Sequence, residues 1–136
     1  MDNINITIKG KPIALKRHRS TRRGIMYDPS SKDKFIIWNQ IKKYKPRNPI
    51  KSPVTLFVTF YMPRPKKHYR TGKFKHLLKD DVPEYHTNTP DLSNLIKLYE
   101  DILQPSFYLD DSQICRIQAE KVYSKQPRTE IIIEEI

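Results

Sequence analysis

The 136-residue chain is short of several residue types, and each shortage excludes something. Its one cysteine, Cys115, cannot form an intrachain disulfide or a Cys-rich zinc centre, and is expected to be a small buried apolar residue. Three glycines exclude collagen-like repeats, while 37% hydrophobic residues suffice for one modest core. No apolar run approaches the roughly 18 residues of a membrane span. The opening Met1-Asp2-Asn3-Ile4 lacks the basic-then-apolar order of a signal peptide, so a reducing cytoplasm is the expected compartment. Acidic residues are scarce in the first part: residues 9–79 carry 21 Lys and Arg against Asp28 and Asp33 alone. Residues 80–136 reverse this, with five Lys and Arg against twelve Asp and Glu, and the whole chain carries +11. A basic first part expects a polyanionic partner. Carboxylates repel phosphate unless a divalent cation lies between them, so the contrast points to metal-dependent chemistry on nucleic acid. A solubilising charge imbalance is the plainer alternative.

What is present reads as one domain over residues 1–136. Asn3 to Lys9 alternates Ile4, Ile6 and Ile8 with polar residues, a strand pattern ended by Gly10 and Pro12. A loop from Lys16 to Pro29 carries Lys16, Arg17, Arg19, Arg22 and Arg23. Ser30 or Ser31 opens a predicted helix to about Tyr44, with Ile37, Ile41 and Tyr44 on its buried face. Val54 to Met62 is dense in β-branched and aromatic residues and reads as a strand. Residues 63–90 are broken by four prolines and carry seven Lys and Arg, a loop long enough to expect a functional or mobile role. Asp91 to Leu103 is the clearest helix, followed by strands over Ile114 to Tyr123 and Thr129 to Glu135 joined by a turn at Gln126-Pro127. The predicted order is β-loop-α-β-loop-α-β-β: a small α+β domain with a mixed sheet and two main helices.

The chemistry gathers around the second helix. Its apolar side chains share one arc, leaving Asp91, Asn94, Lys97 and Asp101 on the other. The eight residues from Gln104 to Asp111 are enough for the chain to run back along the helix and bring Asp110-Asp111 near Asp91. A carboxylate cluster suits Mg²⁺, which takes hard oxygen ligands, and Lys97 could stabilise charge on a phosphate. Each residue has an ordinary reading beside this one. Asp91 after Pro90 makes a good N-cap, Asp110-Asp111 a turn, and Lys97 with Asp101 an exposed i,i+4 pair.

His86-Thr87-Asn88-Thr89-Pro90-Asp91-Leu92-Ser93-Asn94-Leu95-Ile96-Lys97, then Glu100-Asp101-Ile102-Leu103, then Tyr108-Leu109-Asp110-Asp111-Ser112-Gln113-Ile114, resembles the RusA family of Holliday junction resolvases. The resemblance extends more weakly to the opening strand, Gly10 and Pro12, Tyr27-Asp28-Pro29 and Lys121-Val122-Tyr123. It implies a homodimeric, Mg²⁺-dependent endodeoxyribonuclease (Mn²⁺ as substitute) that cuts branched, four-way DNA, with no membrane partner and no small-molecule cofactor. Asp91, Lys97 and Asp111 take the catalytic positions, and Asp91 and Asp111 the metal positions. Family members are often prophage-encoded. One departure stands out: the second acid of the helix motif falls on Ser93, a poorer Mg²⁺ ligand. Asp110, Asp101 or His86 would then supply the missing contact; the alternative is a catalytically weakened or inactive junction-binding protein of the same fold. The basic loop, Lys16, Arg17, Arg19, Arg22 and Arg23, is the expected DNA grip, and Tyr27, Tyr69 and Phe74 are candidates to stack on unpaired bases.

Overall fold

The alternating isoleucines do form a strand. In the computed structural model, which describes residues 3–16 and 19–136 and only the backbone of Arg19, β1 (Ile4–Lys9) buries Ile6 and Ile8 and leaves their neighbours outward. The remaining elements, in chain order, are β2 (Arg19–Ser20), β3 (Met26–Tyr27), α1 (Ser31–Ile41), β4 (Val54–Pro63), α2 (Leu92–Leu103), β5 (Ile114–Ser124) and β6 (Arg128–Glu135). The main sheet runs β1-β6-β4-β5 and is mixed: β4 and β5 are parallel, the other pairs antiparallel. Parallel neighbours need a crossover rather than a hairpin, and α2 lies within that crossover. The result is the α+β class with two helices.

Three details depart from the sequence reading. The basic loop contains a small hairpin, β2 with β3, turned at Gly24, whose φ of +78° suits glycine. The turn after β5 does not join neighbours, because β4 lies between β5 and β6. Cys115 is exposed, not buried. It sits at an irregularity near the start of β5, passed over between Ile114 (opposite Val54) and Arg116 (opposite Thr55), and its Sγ lies 3.4 Å from the Gln113 carbonyl.

The core lies between one sheet face (Leu56, Val58, Phe60, Met62, Ile131 and Ile133) and the two helices. α1 contributes Ile37 and Ile41; α2 contributes Leu95, Leu98, Tyr99, Ile102 and Leu103. Ser30 stands at the N-cap of α1, but its hydroxyl accepts the Lys16 backbone N–H at 2.8 Å, so it pins the basic loop to the helix start. The segment after α2 is fixed by Phe107 and Tyr108, both fully buried. Truncating Phe107 to Ala would cost about 3–5 kcal/mol.

The 64–90 segment is rooted on the end of β5. The His86 N–H donates to the Lys121 carbonyl and the Tyr123 N–H to the Glu84 carbonyl. The Tyr123 ring contacts His68 edge-on at 4.9 Å and His86 at 5.1 Å, with Arg64 over it at 5.2 Å. Burial, then Arg64, Lys67 and Lys79, lowers the pKa of His68; burial, then Lys121, lowers that of His86. Both rings therefore favour the neutral form when folded. Their stabilisation is complete above the ordinary histidine value of 6.5 and is lost as pH falls through the depressed folded values, because only the unfolded chain gains protons in that window. Melting curves are expected to show a fall in Tm from about pH 7.5 to about pH 5.0. A His68→Gln/His86→Gln variant is expected to lose most of that fall, and an unchanged fall would remove the two histidines as its cause.

Candidate functional site

Asp91 occupies the N-cap of α2, as its place after Pro90 suggests, but its side chain makes no capping hydrogen bond. An exposed carboxylate is thus left at the helix start. Lys121 braces this approach from β5, its Nζ donating to the carbonyls of Asn88 (2.8 Å) and Pro90 (2.7 Å).

Along α2, Ser93, Lys97 and Glu100 are spaced four and three apart, so they share one stripe, with Gln104 at its end. Lys97 is exposed and forms no salt bridge among the described residues. The i,i+4 partner suggested for it, Asp101, instead lies 3.5 Å from Lys34 of α1, which also meets Asp28 at 2.8 Å. Burial disfavours the Lys34 charge, but Asp28 and Asp101 outweigh it and raise its pKa.

The Asp110-Asp111 pair divides its labour. Asp110 accepts the Ser112 N–H at 3.1 Å while Gln113 Oε1 accepts the Asp110 N–H at 3.0 Å, a reciprocal cap on the short turn Asp111–Gln113. The hydrogen bond from Ser112 holds the Asp110 carboxyl below its ordinary pKa. Gln113 Nε2 donates to the carbonyls of Ile50 and Ser52, fastening the turn to the entry of β4. Asp111 is the residue this turn presents: it is exposed, and its N–H donates to Gln104 Oε1 at 2.8 Å.

The two halves of the motif therefore stand at opposite ends of α2, a helix about 18 Å long. The return segment does fold back, but only by the last turn. The Phe107 N–H donates to the Leu103 carbonyl and the Tyr108 hydroxyl to the Glu100 carbonyl, and burial of these two rings stops the chain there. Glu100, which the sequence reading did not single out, is the acid near Asp111. Burial, then the charges of Asp111 and Asp101, pushes its carboxyl above the usual range, with Lys97 opposing. Its spacing of three from Lys97 and seven from Ser93 was the available signal. His86 is placed elsewhere: its ring packs on Tyr123, and its Nδ1 is buried without a partner.

These donors fit Mg²⁺ in kind, being exposed hard oxygens. Among the described residues no three His, Cys, Asp or Glu side chains form a metal-sized cluster. That number is not required, since Mg²⁺ keeps several waters and uses one or two carboxylates together with substrate phosphates.

Of the expected grip, Arg17 lies outside the described residues, as does the side chain of Arg19. Arg22 and Arg23 are exposed on the β2–β3 turn, and Lys16, exposed, lies 3.7 Å from Asp33. Ile25, Met26 and Tyr27 are exposed beside them.

A basic loop, exposed carboxylates at both ends of α2 (Asp91 and Asp111) and Lys97 on the helix between them outline a nuclease. The sequence matches the family described as Endodeoxyribonuclease RusA over residues 9–134. It is 33% identical over 141 residues to the Uncharacterized protein YqaN of Bacillus subtilis (strain 168), covering 100% of this chain and 99% of that one. It is 32% identical over 114 residues to the Crossover junction endodeoxyribonuclease rusA of Lactococcus phage r1t, covering 81% and 77%. The chain belongs to the RusA family of endodeoxyribonucleases. Nucleases of this type generally depend on a divalent metal. No helix among the described residues is long and apolar enough to cross a membrane.

Proposed function

We propose that the protein is a homodimeric, Mg²⁺-dependent endonuclease that resolves four-way DNA junctions by paired symmetric nicks in recombination and repair, working in the cytoplasm. The observation that carries this reading is the presentation of Asp111 by a turn that uses the side chains of Asp110 and Gln113 to hold it and leaves the Asp111 carboxylate outward. Asp91 and Asp111 are the metal ligands, and Asp110 sets the turn while keeping a second oxygen for the same site. Mg²⁺, when bound, supplies the positive charge that lets these carboxylates approach a phosphodiester and polarises it. Lys97 holds a phosphate oxygen from the middle of the α2 stripe and stabilises the charge that develops there. Lys16, Arg17, Arg19, Arg22 and Arg23 grip flanking phosphates without reading sequence.

Two symmetric nicks require two sites, which a twofold dimer provides. The same symmetry accounts for carboxylates standing at both ends of α2: the Asp91 end of one copy meets the Asp111 end of the other.

Ser93 leaves the site one acid short of the family motif, and the non-cutting alternative rests on that residue alone. Glu100, on the same stripe, returns a carboxylate to it. The test is nicking of a synthetic four-way junction with Mg²⁺ and with EDTA, beside Ser93→Asp. Wild type is expected to nick only with Mg²⁺, and Ser93→Asp to lower the Mg²⁺ needed for half-maximal nicking by about threefold to tenfold. A wild type that binds junctions and never nicks them, while Ser93→Asp does, would favour the non-cutting alternative.

A further inference from the structure

The 64–90 segment is not irregular throughout. Residues 68–79 form a braced hairpin. The Lys79 N–H donates to the His68 carbonyl at 2.9 Å, Tyr69 bridges Leu78, and the Arg70 N–H donates to the Leu77 carbonyl at 2.8 Å. The tip is a short turn, Gly72–Phe74, with Gly72 at φ +64°. Arg70 stiffens it by donating to the Leu78 carbonyl and the Asp80 carboxylate. The edge-on contacts of His68 and His86 with the Tyr123 ring, and Arg64, fix its base, and the chain then leads into Asp91.

Every residue from 71 to 77 is exposed, including Phe74 at 48% and Leu77 at 40%. A single exposed apolar residue means little. Here two stand near the tip of a braced hairpin, Phe74 between Lys73 and Lys75 and Leu77 two residues beyond Lys75, with Lys125 Nζ 3.4 Å from the His76 carbonyl. The Lys73 ammonium lies 5.3 Å from the centre of the Phe74 ring. Apolar side chains beside cations match one partner chemistry well: a nucleic-acid base step, whose faces are apolar and whose flanking backbone carries phosphates. An intact duplex offers no open step at low cost, whereas a branch point does.

We infer that the 68–79 hairpin is a branch-point wedge: Phe74 and Leu77 enter the unstacked step of a DNA junction while Lys73 and Lys75 hold the adjoining phosphates. This rests on the reading of the protein as a branched-DNA nuclease and adds the element that distinguishes a branch from plain duplex. The test places 2-aminopurine at the branch point of a four-way junction and follows its fluorescence with Ca²⁺ replacing Mg²⁺. Wild type is expected to raise the signal severalfold on the junction and hardly at all on linear duplex. Phe74→Ser/Leu77→Ser is expected to lose the rise and bind the junction about tenfold more weakly, with duplex affinity unchanged. Lys73→Gln/Lys75→Gln is expected to weaken both substrates and lower the salt dependence. If the serine variant keeps the signal and the junction preference, the wedge is refuted while the nuclease reading stands. If that variant instead changes the sedimentation of the DNA-free protein, the tip is a protein contact and the wedge is again refuted. A wild type that binds neither DNA would overturn both readings.

Discussion

Asp111→Asn and Asp91→Asn are each expected to reduce junction nicking by at least about a thousandfold, with junction binding unchanged or tighter. Loss of a carboxylate that holds the cation removes several kcal/mol of transition-state stabilisation, and each 1.36 kcal/mol is tenfold in rate. Binding survives because Asn carries no charge to repel phosphate. The two variants also test each other. Where one site combines Asp91 of one copy with Asp111 of its twin, a mixed dimer of the two inactive variants contains one intact site and one doubly altered site. Refolding them together is expected to restore single-strand nicks to roughly a quarter of the wild-type level, since half of the dimers are mixed and each has one working site. No restoration by an exchanged mixture would show that each chain carries its own complete site. Full nicking by either variant alone would remove that residue from the metal site.

The second large effect concerns the grip. Replacing Arg17, Arg19, Arg22 and Arg23 together by Gln is expected to weaken binding to every DNA by about a hundredfold at low salt. It should also reduce the slope of log affinity against log salt by about 3 to 4, because each neutralised phosphate releases a condensed counterion. Junction preference over duplex should change little, since phosphate contacts carry no shape or sequence information of their own. Titrations at several salt concentrations measure both quantities. An unchanged slope would mean that the DNA runs over another face.

The helices and strands were legible in the sequence because their signals are local. Period-two isoleucines mark β1, and the apolar arc of residues 92–103 marks α2. The motif residues were legible one by one, but their division of labour was not. Nothing in Asp110-Asp111-Ser112-Gln113 says which aspartate closes the turn and which faces outward. That follows from the reciprocal bonds of Asp110 with Ser112 and Gln113, and from the grip of Gln113 on the carbonyls of Ile50 and Ser52, some sixty residues earlier. Cys115 misled because it falls at the irregularity in the pairing of β5 with β4, which only the sheet register shows.

The sequence by itself determined the charge division, the two helices, the strand faces and the motif candidates Asp91, Lys97, Asp110 and Asp111. All of these depend on composition or on spacing within a few turns. Only the tertiary structure decided where those residues meet. Burial of Phe107 and Tyr108 halts the return segment at the last turn of α2, setting Asp111 beside Glu100 and leaving Asp91 at the other end. Lys34 takes Asp101 from Lys97, and the edge-on contacts of His68 and His86 with Tyr123 anchor the base of the 68–79 hairpin within a proline-broken stretch. Each of these rests on contacts between distant parts of the chain, which local pattern cannot encode because its signal ends within a few residues.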